Sequence, residues 1–461
     1  MQITAIHHDV QEKEQHITCR INRFFQQFTI GTVAQRCGFT KKKGTPPAVL
    51  LLCLFSLPFH RLNLYRYFAT QDNPGFGKDA VYDFMRSSRY SWRRFLLLLA
   101  TRVCSMLQEL TSEERETVLI LDDSTFHRPQ SKKVELLARV FDHTQNRFLK
   151  GYRLLSLCWS DGATLSPLDF ALLSSAKEKN RYQGVTKRLD NRTCGARRRK
   201  EATCKSTELI GPMLQRALSS GVRAKYLLMD SWFGMPAIIS QARKHIHVIC
   251  MIKRTPKVQY EFEGERLNAD AIYRRLRKRR GRARVLANAL VTMNDGRPAR
   301  IVFVRNKHKK DWLALLSTDT ELPEADVVRI YGKRWDIEVF FRTAKQHLEL
   351  EKGCQARDFD ALIAHTTIVM MRYIFLTLEQ RRHDDPRTLG LLFHACCDEA
   401  RDLEYVEALQ RILTLTMMHL QENKQVAEEL AQSILADALQ RIFYLFGLSR
   451  QYCQRTRVVE P

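Results

Sequence analysis

The sequence predicts an α/β protein: a mixed sheet in the middle of the chain, a β-rich insertion within it, and helical regions at both ends. Three observations carry that reading. Through residues 1–110 apolar side chains recur at helical spacing, and no long alternating segment interrupts them. After that come apolar, β-branched runs, two of which end in Asp, with helical stretches between them. From Pro323 onward helical spacing returns.

The elements follow in order. In "TVAQRCGFTKKKGTPP" Gly38 ends one helix, Thr45 caps the next and Pro46 suits its first turn. A DNA-binding helix-turn-helix and two ordinary packed helices both fit this stretch. "TVLILDDS" (Thr117 to Ser124) reads as a strand ending in two acids. "GYRLLSLCWSDG" and "TLSPLDFALL" follow as strands around a Gly turn. A helix covers Thr203 to Ser219, "KYLLMDSWFG" is a buried strand ending in Asp230, and "HVICMIK" is another strand. "VQYEF", "RARVLANALVTM", "RIVFVRN" and "WLALLST" make up the β-rich insertion. The boundaries expected are a helical region over 1–115, the sheet's first part over 116–255, the insertion over 256–318, the second part over 319–375 and a helical region over 376–461.

Composition narrows the partners. The chain has 461 residues, enough for two or three domains, and 44% of them are hydrophobic. Lys and Arg number 75 against 50 Asp and Glu, a net charge of +25 that suits a polyanion, nucleic acid above all. The longest apolar run, Ala48 to Phe55, is too short to span a bilayer, and no apolar leader is evident after Met1. A cytoplasmic, nucleoid-associated protein without a membrane partner is therefore expected. The twelve Cys form no ligand spacing and read as reduced, mostly buried thiols. Two segments, "KEKNRYQGVTKRLDNRTCGARRRK" and "RRLRKRRGRAR", are dense enough in Arg to expect phosphate contact; the second contains Arg277, Lys278, Arg279 and Arg280.

The chemistry is expected in "YGKRWDIEVFFRTAKQHLEL", residues 331–350. At about 100° per residue, Arg334, Glu338 and Lys345 fall within about 60° of Tyr331 on one helix. Ordinary intrahelical ion pairs explain part of this stripe, at about 0.2–0.5 kcal/mol each. They do not explain two remote strands that end in Asp. Carboxylates from two strand ends and a helix suit hard divalent ions, Mg²⁺ or Mn²⁺, and a pair of such ions suits in-line attack on a phosphodiester.

Tyr331, Arg334, Glu338 and Lys345 at these spacings resemble the YREK signature of the family four insertion-sequence transposases, a DDE family. "LILDDST" and "LLMDSWF" resemble that family's first and second acidic strands. The resemblance spans about 115 to 350 and implies a ribonuclease H-like core. It implies that Asp123, Asp230 and Glu338 are catalytic and hold two metal ions. It also implies that Tyr331, Arg334 and Lys345 contact DNA, with DNA-end binding on the N-terminal side and a dimer contact on the C-terminal side.

Side chains alternate along a strand, so only one of Asp122 and Asp123 points at the metals. The family's acid followed by two hydroxyl residues favours Asp123, with Ser124 and Thr125; Asp122 then bonds the local turn. Trp312 in a strand is ordinarily a core residue. His308, Lys309 and Lys310 precede it, however, and the resemblance implies that it stacks on a base flipped out beside the cut. The activity implied is a transposase that cuts its element's terminal inverted repeats and joins the 3′ ends to target DNA. A catalytically silent DNA-binding descendant is the other reading, and a membrane-associated basic protein is disfavoured for want of a basic amphipathic anchor.

Overall fold

Strand β1 (Val118–His127) begins with four fully buried aliphatic residues, and everything central to the fold is arranged around it. The computed structural model describes residues 17–70, 75–110, 115–142, 145–281, 283–306, 311–422, 433 and 436–442. His308, Lys309 and Lys310 lie outside them. The chain forms two compact units, one of Met1–Thr29, Leu52–Pro74 and Pro386–Pro461, the other of Ile30–Leu51 and Gly75–Asp385.

The helices in chain order begin with α1 (Ile17–Gln27), α2 (Ile30–Arg36), α3 (Pro47–Ser56), α4 (Leu64–Thr70), α5 (Lys78–Met85) and α6 (Trp92–Glu109). They continue with α7 (Cys194–Ala202), α8 (Ser206–Ser219), α9 (Pro236–Ala242), α10 (Ala269–Arg275), α11 (Glu324–Gly332), α12 (Trp335–Gln346), α13 (Phe359–Arg382) and α14 (Leu389–Glu422). In the first unit, Phe24 stacks on Phe55, Phe59 meets Phe393, and Arg20 pairs with Glu399 at 2.5 Å.

The second unit holds the sheet. Its further strands are β2 (Ala138–Asp142), β3 (Arg147–Ser160), β4 (Leu165–Leu173), β5 (Tyr226–Met229), β6 (His247–Met251), β7 (Gln259–Phe262), β8 (Glu265–Asn268), β9 (Val285–Thr292), β10 (Pro298–Arg305) and β11 (Trp312–Ser317). The run β4-β3-β1-β5-β6 has its first three strands antiparallel and its last two parallel to β1. This is the ribonuclease H-like mixed sheet expected, and β4 is buried along its whole length. The one acid on β4, Asp169, is neutralised by Arg93 at 3.1 Å and Arg216 at 2.6 Å.

The insertion joins the central sheet: β11 pairs antiparallel with β6, so the eleven described strands belong to one sheet. It also contains a helix, α10, started by Asn268, whose side chain accepts from the Ala271 N–H. Helix α13 is apolar over a longer stretch than any uninterrupted apolar run in the sequence. By length and composition it could cross a membrane, yet its apolar window is wholly buried within the fold. His365, Thr366 and Arg372 interrupt it in sequence, and each finds a backbone carbonyl to bond.

Candidate active site

Strands β1 and β5 run parallel with Leu121 opposite Met229. The next residue on each is an acid, Asp122 and Asp230, so register sets both at the carboxyl ends of adjacent parallel strands. Arg334 completes the group. Its guanidinium donates to Asp122 Oδ2 at 2.8 Å and to Glu338 Oε1 at 2.5 Å. Burial pushes the Asp122 carboxyl up to about 7; Arg334 lowers it and the neighbouring charge of Asp230 raises it. Asp230 Oδ1 accepts the N–H groups of Trp232 at 2.9 Å and Phe233 at 3.3 Å, which fixes the turn after β5. Gly234 belongs to that turn because a Cβ there would collide with the Met251 carbonyl oxygen at the end of β6.

The signature segment is not one continuous helix. Helix α11 ends at Gly332 and α12 starts at Trp335. Lys333 and Arg334 nevertheless keep right-handed helical angles, and the bonds tighten to three-residue spacing, Arg334 N–H to Tyr331 O and Ile337 N–H to Arg334 O. The tight joint still brings Arg334 to Glu338. Lys345, about two turns beyond Glu338, turns to Thr125 at 3.4 Å and pairs with Glu351 at 3.4 Å.

Asp123 is not brought to this group. It lies on the opposite face of β1 from Asp122, where Arg153 binds both its oxygens at 2.8 and 3.0 Å. Asp122 is the acid that shares Arg334 with Glu338, so the expected choice within the doublet does not match the geometry. Sequence alternation says that one acid points each way; the missing signal was the pairing of β1 with β5.

The remaining residues fall as follows. The Tyr331 hydroxyl is buried without a hydrogen-bond partner among the described residues, and burial, offset in part by Arg334, pushes it above its ordinary range. Arg277, Lys278, Arg279 and Arg280 form an exposed run after α10, with Arg279 paired to Glu324 at 2.9 Å. In the other basic segment, Arg198 and Arg199 are buried against Asp360 and Glu135, which removes them from phosphate contact. Trp312 is 8% exposed, with the Arg254 guanidinium 3.9 Å over its ring and Tyr273 4.6 Å away. A base-stacking role does not fit a ring so covered. Sequence reading passed over Trp232 instead. It is 47% exposed, follows Asp230 by two residues and has the Lys253 ammonium 4.4 Å over its ring.

No group of three or more His, Cys, Asp or Glu among the described residues is already gathered around one point to hold a metal. The donors suit a hard divalent ion all the same. They are carboxylate oxygens, Arg334 supplies positive charge between two of them, and the Tyr331 hydroxyl is a buried polar group without a hydrogen-bond partner among the described residues.

A sheet of this order with acids at the ends of its central parallel strands defines a chain of the ribonuclease H-like class. The DDE superfamily endonuclease family matches residues 36–310, more than half of the chain, and the chain belongs to that family. The matched span includes Asp122 and Asp230 and stops before Glu338. No curated protein matches the chain. Among solved structures, the Drosophila P element transposase strand transfer complex is similar at 10% identity and a TM-score of 0.22, covering 51% of this chain and 50% of that one. The chain thus spans about half the length of that solved protein.

Proposed function

We propose that this protein is a DNA transposase of the YREK group that cuts at the ends of an insertion element and joins the freed 3′ ends to target DNA. The observation that carries the reading is the register-matched pair Asp122 and Asp230, with Glu338 reached through Arg334. Asp122, Asp230 and Glu338 would hold a pair of Mg²⁺ or Mn²⁺ ions, whose chemistry is activation of water and of the freed 3′ hydroxyl for in-line attack. Arg334 holds the two carboxylates in place before DNA arrives. The Tyr331 hydroxyl, buried without a partner among the described residues, would be a donor for an oxygen entering the site. The exposed run Arg277 to Arg280 and the net charge of +25 support duplex DNA, terminal repeats and target alike, as the partner. A homodimer on DNA and a cytoplasmic, nucleoid-associated location complete the proposal.

The test is incubation of purified protein with Mg²⁺ and DNA carrying the element's ends, with cut and joined products mapped. Asp122→Asn, Asp230→Asn and Glu338→Gln should each reduce cutting by about 100-fold or more while end binding persists. Asp123→Asn should still cut. Efficient cutting by Glu338→Gln would sink the assignment, and end binding without any cutting by the unaltered protein would establish the silent DNA-binding reading.

A further inference from the structure

Strand β1 ends at His127, opposite Gly151, with one more bond from the Arg128 N–H to Lys150 O, whereas β3 begins at Arg147 and, among the described residues, pairs there with β2. The first residues of β3 and the end of β2 therefore extend beyond β1 as a two-stranded ribbon. Alternation puts Arg139, Phe141, Phe148 and Lys150 on one face of it, since Arg139 faces Lys150 and Phe141 faces Phe148. Phe148 is 53% exposed, and the Arg139 guanidinium lies 4.0 Å over its ring. Two residues along, the Lys150 ammonium lies 5.3 Å from the ring of Tyr182, itself 48% exposed. Tyr182 is held in place by its backbone, whose N–H donates to Leu137 O at 2.7 Å.

Charges on an edge strand are ordinary, because they keep other strands from pairing there. That accounts for Arg139 and Lys150. It does not account for two large aromatic rings left about half exposed on the same face, each with a cation above it, Phe148 also meeting the edge of Phe141 at 5.1 Å across the ribbon. Aromatic faces beside cations are what an unpaired nucleic-acid strand needs: rings for its bases and positive charge for its phosphates. In a duplex the base faces are already stacked on one another and are not free to meet a protein ring.

We propose that Phe148 and Tyr182, with Arg139 and Lys150, form a binding platform for single-stranded DNA. From Ser156, which faces Asp122, to Phe148 is eight residues along β3, roughly 26 Å at about 3.3 Å per residue. The platform is thus separate from the carboxylates and receives a strand at a distance from the cut. It rests on the proposed reading in taking DNA as the partner, but it requires no cutting.

The experiment measures binding of the full-length protein, in EDTA, to three labelled probes of equal length: an oligo(dT) strand, a wholly abasic strand, and a duplex. Unaltered protein should bind oligo(dT) more tightly than the abasic strand by about tenfold. Phe148→Ala with Tyr182→Ala should erase that preference and leave duplex affinity and melting temperature unchanged. Arg139→Gln with Lys150→Gln should keep the preference and lower the log–log salt slope on the single strand by about 0.7 for each cation removed. Equal binding of oligo(dT) and abasic strand by the unaltered protein overturns the platform, as does equal loss on strand and duplex in the aromatic variant. An unchanged salt slope overturns it too. Because EDTA removes metal, failure here is distinct from failure of the transposase reading, which is decided by products formed in Mg²⁺.

Discussion

Two assemblies of carboxylates and arginine lie in the same unit, and they are built to opposite ends. In the first, Arg199 donates to both oxygens of Glu135, at 2.8 and 2.7 Å, and to Asp360 at 2.9 Å, while Arg198 bonds the other Asp360 oxygen. The backbone N–H groups of Thr186 and Phe359 also donate to Glu135. Both acids are wholly buried, and although burial raises Glu135, the arginine and these donors hold it below its ordinary value. In the second, one guanidinium serves Asp122 and Glu338, a tyrosine hydroxyl is left over, and Asp122 is pushed up. The first assembly is saturated and has no capacity for a ligand. The second is short of positive charge and of hydrogen bonds, which is the condition of a site that completes itself by binding.

The sharpest way to break this contrast is to cut the saturated assembly. Arg199→Met leaves buried Glu135 without its ion pair and Asp360 with Arg198 alone, which should cost about 3–5 kcal/mol. A melting temperature within a degree of the unaltered protein would mean that the assembly is not closed as described. Asp122→Asn should do the reverse, abolishing cutting while leaving the melting temperature unchanged or raised, because it removes a strained acid. Its neighbour separates structure from chemistry. Asp123→Asn breaks a partly buried charged pair worth about 1.5–3 kcal/mol and should lower the melting temperature without loss of cutting. A swap of these two outcomes would return the active acid to Asp123.

A smaller effect is expected from metal alone. At a hundredfold excess over its dissociation constant, Mg²⁺ should stabilise the protein by about 2.7 kcal/mol, read as a rise in melting temperature that Asp230→Asn lacks. An equal rise in that variant would place the ion elsewhere. The smallest effect belongs to a third pair, at the surface. Glu116 is held down to about 2 chiefly by its bond from Arg329. Its folded value lies below its unfolded one of about 4.3, so its contribution is complete above that and vanishes as pH falls through about 2. Since Arg329 is half exposed, Glu116→Gln should cost no more than about 1 kcal/mol at pH 7, and nothing near pH 2. A loss that persists in acid would assign it to packing.

Much of the open assembly was legible in the sequence. Two apolar runs ending in acid gave both strands, and Arg334 and Glu338 were spaced to meet. What was hidden depended on partners remote in the chain. The choice between Asp122 and Asp123 needs the register with Met229. The cover on Trp312 comes from Arg254, far back along the chain. The ribbon carrying Phe148 was missed because "ARVFD" is a five-residue edge strand with too little alternation to stand out. The fold itself was clearer than its joints: the break between α11 and α12 leaves no Pro or Gly signature beyond Gly332, and the tight turns there keep helical angles.

The seam between β6 and β11 has a consequence in time. Asp122 and Asp230 leave the ribosome before the insertion does, and roughly a hundred residues are still to be made before Glu338 appears. At about 5–20 residues per second that is on the order of 5–20 s. During that interval the nascent chain has two of its three acids and a parallel sheet edge at β6 still waiting for β11. The order of synthesis thus keeps the carboxylate group incomplete until the strand that closes the sheet and the helix that carries the last acid arrive together.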